Sequence, residues 1–215
     1  MLATLYATGF LNPQHLLEKG GLALLTAVVF AESGLLIGFF LPGDSLLFIA
    51  GFLASSAGGN RLPALPIVIL CVVVGAILGD QVGYWFGKTV GPSLFDRPKS
   101  RLFNPANVTK AHGFFERYGS KTIVLARFVP VVRTFAPIVA GVATMRYRTF
   151  LIYNIIGGVL WGAGITTLGY FLGQVGWVKD NIEVAIVAII AVSLLPVTIE
   201  FLRHRRNARR AVPAD

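Results

Sequence analysis

Five charged residues stand inside stretches that are otherwise apolar: Glu32, Asp44, Asp80, Arg127 and Arg133. On insertion scales a charged side chain at the centre of a membrane helix costs about 2.5–3.5 kcal/mol, so such groups persist when paired or facing a wet cavity. Glu32 and Asp44 fall in one apolar region, Arg127 and Arg133 in a later one. If those regions meet, two acids face two bases, the formal charges cancel, and pairing offsets much of the desolvation. A cluster of this kind is either a structural ion-pair network or a site that binds an anion and moves protons. Arginine suits a phosphate, because its planar fork donates two parallel hydrogen bonds. A carboxylate removed from water can titrate near neutral pH and so carry a proton. Arg127 and Arg133 would then hold the phosphate while Glu32 and Asp44 exchange the proton. Asp80, Asn154 and Trp161 lie on neighbouring apolar segments and are candidates to line the same cavity. Asp80 could also pair with either arginine.

The elements that position these residues follow from composition. The chain has 215 residues, of which 55% are hydrophobic and 13% charged, and its mean hydropathy is +0.71. Soluble domains carry roughly 25% charged residues, so an ordinary soluble enzyme and a disordered chain are both excluded. A membrane helix needs about 20 apolar residues. The chain therefore has room for roughly four to six membrane elements and no separate soluble domain. Residues 1–19 read as an N-terminal interfacial segment without the form of a cleavable signal peptide, and 20–202 as the membrane domain. Within it, 20–57 is a hairpin region interrupted at Glu32 and at Pro42-Gly43-Asp44, and Gly58 to Pro63 is a loop by composition. Residues 65–87 form a span, 88–121 a basic loop, 122–143 an apolar segment, and 149–175 and 182–202 two further spans. Residues 203–215 form a basic tail.

Basic residues fix the sidedness. Lys and Arg beside membrane segments mark the cytoplasmic face. The 88–121 loop holds Lys88, Arg97, Lys99, Arg101, Lys110, Arg117 and Lys121, and the tail holds five arginines. With both inside, an even number of crossings must separate them, yet three apolar segments lie between. The segment 122–143, with two arginines, Pro130 and Pro137, is therefore expected to enter and leave from the cytoplasm as a re-entrant hairpin. Broken backbone at membrane depth survives only where protein or a polar cavity surrounds it. The net charge of +9 is thereby explained by membrane sidedness and contact with anionic lipid, with no need for nucleic acid.

An internal repeat supports the hairpins. Phe40-Leu41-Pro42 with Ala50-Gly51 is similar to Phe128-Val129-Pro130 with Ala140-Gly141, and Gly83-Tyr84-Trp85-Phe86-Gly87 is similar to Gly169-Tyr170-Phe171-Leu172-Gly173. Each half reads as a broken hairpin followed by a span. The first span ends inside and the second begins inside, so the halves are inverted, which is a pattern of secondary transporters. Gly75, Gly79, Gly83, Gly87 and Gly91 recur every four residues, and Gly158 and Gly162 share that spacing. Both sets predict close helix packing. Cys71 is alone, and His15, His112 and His204 are not spaced for metal, so neither a metal nor another cofactor is expected. Phosphate-binding loop and serine-elbow motifs are absent, so an enzyme is not expected.

The motifs Phe30-Ala31-Glu32-Ser33-Gly34, Phe40-Leu41-Pro42-Gly43-Asp44-Ser45, Gly79 to Gly87 and Ala126-Arg127-Phe128-Val129-Pro130-Val131-Val132-Arg133-Thr134, followed by Asn154 through Trp161, resemble the DedA family, also called the SNARE-associated or VTT domain family. The resemblance covers about residues 20–175. It implies a bacterial inner-membrane, multi-pass protein with two opposed re-entrant hairpins. It also implies return of undecaprenyl phosphate across the membrane for cell-envelope synthesis, or maintenance of the proton-motive force. Distant eukaryotic relatives scramble phospholipids. The family's essential acids match Glu32 and Asp44, and its essential arginines match Arg127 and Arg133. The expected fold is thus an all-α polytopic membrane protein: an inverted repeat of two re-entrant helical hairpins, each followed by a transmembrane helix, plus a C-terminal transmembrane helix. The expected activity is proton-coupled flipping of an anionic lipid phosphate, with the bilayer and protons as partners and the oligomeric state, homo-oligomer included, left open. A proton- or cation-coupled small-solute exchanger, a phospholipid scramblase and a membrane scaffold are the rival readings.

Overall fold

The computed structural model describes residues 13–35, 43–95 and 115–181, together with 113 and 184. Among these residues the regular structure is entirely helical: α1 (Pro13–Gly34), α2 (Gly43–Leu53), α3 (Leu65–Phe95), α4 (Thr122–Ala126), α5 (Pro130–Val142), α6 (Tyr147–Leu172) and α7 (Gly176–Asp180). Two stretches, Leu65–Gly91 within α3 and Tyr147–Leu172, are long and apolar enough to cross a membrane. The expected span 182–202 and the tail 203–215 lie outside the described residues. So do 1–12, 36–42 and most of the centre of the 88–121 loop.

Several boundaries differ from the sequence reading. Helix α1 begins at Pro13, so residues 13–19 are helical and lead directly into the hairpin region. Gly21, at φ 54°, redirects the chain inside it, a conformation open to glycine. Helix α3 continues past 87 to Phe95. Lys88 does not end it, because its ammonium rests over the rings of Tyr84 and Trp85, 5.9 and 5.1 Å from their centroids. The 122–143 segment is two helices parted at 127–129. Pro130 explains the start of the second: it needs no N–H at the first helical position, and it forces Val129 into extended backbone, φ −118° and ψ 108°. Helix α6 starts at Tyr147 and ends at Leu172, slightly short of the expected 175.

The glycines bring these helices into backbone contact. A Cβ added at Gly75 would meet Thr26, and one at Gly79 would meet Phe30 and Ser33, so α1 lies along α3. Gly83, Gly87 and Gly91 abut Pro137, Ile138 and Val142, so α5 lies along α3 as well. On the other long helix, Gly169 abuts Phe48 and Gly173 abuts Phe52, which seats α2 on α6. Residue numbers rise together in each of these pairs, so the partners run in the same sense. Between the long helices they run oppositely: Gly158 meets Ile77 and Gly162 meets Val72 and Val73. Gly157 meets Val124 of α4. Each long helix thus carries the first short helix of its own half and the second short helix of the other.

The interior is mostly apolar, with Leu25, Val29, Leu47, Val68 and Val72 fully buried, but charged groups share it and large apolar side chains lie outside. Glu32, Asp80, Arg127, Arg133 and Asn154 are buried, alongside Trp161, Tyr84 and Phe150. Leu70, Leu78 and Val82 on α3, and Ile152, Leu160, Leu168 and Phe171 on α6, are exposed. An apolar surface of that extent around buried charges suits lipid rather than water.

Candidate functional site

Five helix segments deliver the buried charges. Glu32 comes from the last turn of α1 and Asp44 from the first turn of α2, where a negative side chain complements the helix dipole. Asp80 sits mid-way along α3. Arg127 caps the C-terminal end of α4. Arg133 lies in the first turn of α5, its N–H bonded to the Val129 carbonyl at 2.9 Å. Pro137, four residues on, has no N–H to return to the Arg133 carbonyl.

The charges form two groups. In the first, the Arg133 fork is shared by two carboxylates: Nη1 donates to Asp44 Oδ1 at 2.6 Å, and Nη2 donates to Glu32 Oε1. Trp161 closes this group. Its Nε1–H donates to the same Asp44 oxygen at 2.9 Å, and its ring lies 4.9 Å from the Arg133 guanidinium carbon. In the second group, Arg127 Nη2 donates to Asp80 Oδ2, to Asn154 Oδ1 at 2.6 Å and to the Ala76 carbonyl at 3.4 Å. Asn154 Nδ2 reaches the Ile77 carbonyl at 3.4 Å. The Trp161 ring stands between the groups, 5.9 Å from the Arg127 guanidinium carbon.

All seven residues singled out in the sequence are therefore brought together, and the pairing of Asp80 with an arginine, left open by the sequence, adds a third acid to the two expected against the two bases. Asp80 is the partner of Arg127, leaving three carboxylates for two guanidiniums. The reason is the break at 127–129. It puts Arg127 on α4, facing the seam of α3 and α6, and puts Arg133 on α5, facing the ends of α1 and α2. Sequence reasoning missed Gly43, where any Cβ would overlap the Glu32 carboxylate. Its signal was the Pro42-Gly43-Asp44 break itself. It also missed Gln81, whose buried amide nitrogen and oxygen have no hydrogen-bond partner.

The VTT domain model matches residues 41–171, a range that holds every one of these charges except Glu32. The chain belongs to the VTT-domain family, the DedA family. Protein DedA of Escherichia coli K12 is 48% identical over 189 residues, covering 88% of this chain and 85% of that protein. The uncharacterized membrane protein Rv0364 of Mycobacterium tuberculosis H37Rv is 46% identical, covering 95% of this chain and 92% of its own length. A Mycobacterium leprae membrane protein is 41% identical over 96% of this chain. No solved structure matches the chain. As a DedA-family membrane protein, the chain turns large apolar side chains outward and holds its ionic groups inside the helix bundle.

Chemically, the arrangement presents a guanidinium whose two outer nitrogens are already taken by carboxylates. An incoming anion can use that fork only by displacing one of them. Protonation of the displaced carboxylate would leave the site's charge balanced, since one negative charge replaces another.

Proposed function

We propose that this DedA-family protein moves an anionic lipid phosphate, undecaprenyl phosphate in the first instance, across the bacterial inner membrane, coupled to protons and serving reuse of the lipid carrier in envelope synthesis. The observation that carries the reading is the Arg133 fork, buried inside a lipid-facing bundle and held by two displaceable carboxylates, Glu32 and Asp44. In this scheme the lipid phosphate takes the fork, Glu32 and Asp44 take up and release the proton, and the chain of the lipid stays in the bilayer.

The packing supports two opposed re-entrant hairpins. The α1–α2 and α4–α5 pairs approach the middle of α3 from opposite directions, and each second helix sits on the long helix of the other half. A repeat inverted across the membrane accounts for both features. The groove on α1 and α3, about 430 Å³ and lined by Leu22, Thr26, Phe30, Cys71 and Leu78, is apolar. It suits a lipid chain better than a dissolved solute, which favours lipid transport over small-solute exchange.

The test is flipping of labelled undecaprenyl phosphate in proteoliposomes with and without a proton gradient. Flipping that depends on the gradient and is lost in Arg133→Ala is the expected result. Equal flipping in empty and protein-containing vesicles would overturn the reading. Flipping indifferent to the gradient would reduce it to scrambling.

A further inference from the structure

We infer that the two buried arginines divide the work: Arg133 is the exchangeable anion site, and Arg127 is a positioning residue that bolts α4 to the seam between α3 and α6 through Asp80 and Asn154. The role of Arg133 rests on the lipid-phosphate reading, whereas the role of Arg127 rests on the geometry of its own contacts.

Arg127 does all of its hydrogen bonding through one nitrogen. Nη2 reaches Asp80, Asn154 and the Ala76 carbonyl, and every one of those acceptors sits on a long helix. The rest of the side chain fills a slot left by glycine. The position of a Cβ on Gly157 lies 3.2 Å from Arg127 Cδ and 3.5 Å from its Nε, and that on Gly158 lies 3.8 Å from its Cζ. The same stretch of α6 is locked to α3 by Gly158 against Ile77 and Gly162 against Val72. Withdrawing Arg127 toward a ligand would strand Asp80 and Asn154, which are 3% and 0% exposed. Leaving a buried carboxylate unpaired is strongly destabilising.

Arg133 is held differently. Its two bonds leave from two nitrogens and end on two short helices that lie either side of the 36–42 link. Its Nε has no partner, as is also true of the Arg127 Nε, so the difference lies in the outer nitrogens. The Asp44 side chain is the most accessible member of the group, at 13% exposure. When Asp44 leaves Nη1 it still accepts from the Trp161 Nε1–H, so the exchange does not abandon it. A phosphate oxygen can then accept from Nη1 while Glu32 keeps Nη2.

The difference predicts opposite tolerance to lysine. An ammonium is a point charge with three donors, which suits three acceptors gathered at one nitrogen, but it cannot reproduce a fork spread over separate nitrogens. The experiment uses full-length protein in detergent carrying Trp85→Phe and Trp177→Phe, so that Trp161 alone among the three tryptophans emits. Trp161 emission is titrated with dodecyl phosphate and, in parallel, with inorganic phosphate, while thermal melting is followed for each variant. We expect a saturable change with dodecyl phosphate and at least tenfold weaker response to inorganic phosphate. Half-saturation should stay within about threefold in Arg127→Lys and in the neutral pair Arg127→Gln with Asp80→Asn. It should rise at least tenfold in Arg133→Lys.

Loss of the response in either Arg127 variant while it still melts cooperatively overturns the division, as does an unchanged response in Arg133→Lys. A response to inorganic phosphate as strong as to dodecyl phosphate keeps the Arg133 site but makes its ligand a free phosphate. If dodecyl phosphate leaves Trp161 emission unchanged in the parent protein, the lipid-phosphate reading fails, and the bolt is judged by melting alone. Arg127→Gln should then lower the melting temperature and Asp80→Asn should restore most of it. Failure of that restoration overturns the bolt.

Discussion

The half of the chain ending with α3 and the half running from α4 to α6 are built from the same parts, two short helices and a long one, but they carry opposite chemistry. The first half supplies Glu32, Asp44 and Asp80 to the buried cluster, and the second supplies Arg127 and Arg133 together with the acceptor oxygen of Asn154 and the indole donor of Trp161. Every ion pair found in the cluster crosses from one half to the other. Neither half can bury its own charges satisfied. The exchanged packing reinforces this, since α2 rests on α6 and α5 rests on α3. The lesson is that association of the halves and assembly of the site are one event.

Separating the halves is the most severe way to break that relation. Residues 1–105 and 106–215 expressed as two chains should each be cleared from the membrane when made alone and should co-purify when made together. Replacing both Arg127 and Arg133 by Ala in the second fragment should abolish co-purification, because three carboxylates then lose their counter-charges. A stable first fragment on its own would show that the acids are satisfied within their own half.

Next in size is Arg133→Ala in the intact chain. Breaking a buried pair by removing one partner costs about 3–5 kcal/mol. Transport in proteoliposomes should fall by more than about tenfold, with a lower melting temperature in detergent. Glycine substitutions sharpen the comparison of the two exchanged interfaces. Gly87→Leu would drive a side chain into the Ile138 backbone, and Gly51→Leu would drive one into the Thr166 backbone. Each should cost about 1–3 kcal/mol of stability through overpacking. Similar losses at the two sites would mark the interfaces as equivalent, and a large loss at one alone would mark one half as the scaffold for the other.

A smaller effect is expected from Trp161→Phe, which keeps a ring over Arg133 but removes the donor to Asp44. A hydrogen bond to a charged group contributes about 1.5–3 kcal/mol, so dodecyl phosphate binding, read by calorimetry, should shift by about tenfold to about a hundredfold. The direction is informative: tighter binding would mean that the indole holds Asp44 on Arg133, weaker binding that it holds the displaced carboxylate. Smallest of all are Ile152→Ala and Leu160→Ala on the exposed face of α6. These should change stability by less than about 0.5 kcal/mol and leave transport unaltered.

Much of the molecule was legible in the residue order. The spans over 65–87 and 149–175 were visible because apolar runs of that length have few alternatives. That 122–143 is broken was visible because it holds Pro130 and Pro137, although which of the two marks the break was not. The four-residue glycine spacing announced close packing, although not which helix would occupy each glycine: Gly75 and Gly79 serve α1, whereas Gly83, Gly87 and Gly91 serve α5. The extent of α3 was misjudged because Lys88 read as loop, and only its placement over Tyr84 and Trp85 explains why a charge is accommodated there.

The sequence by itself determined that five charged groups had to be paired or kept in a polar cavity inside an apolar bundle, since a lone charge in lipid is too costly to persist. It also determined which residues those are. Which carboxylate each arginine takes was decided only by the tertiary structure. Arg127 and Arg133 are six positions apart in the chain, yet the turn between α4 and α5 points them at different helices. Partner choice in a buried cluster depends on where side chains end in space, to within about an ångström, and residue order along a chain with one sharp break does not carry that information.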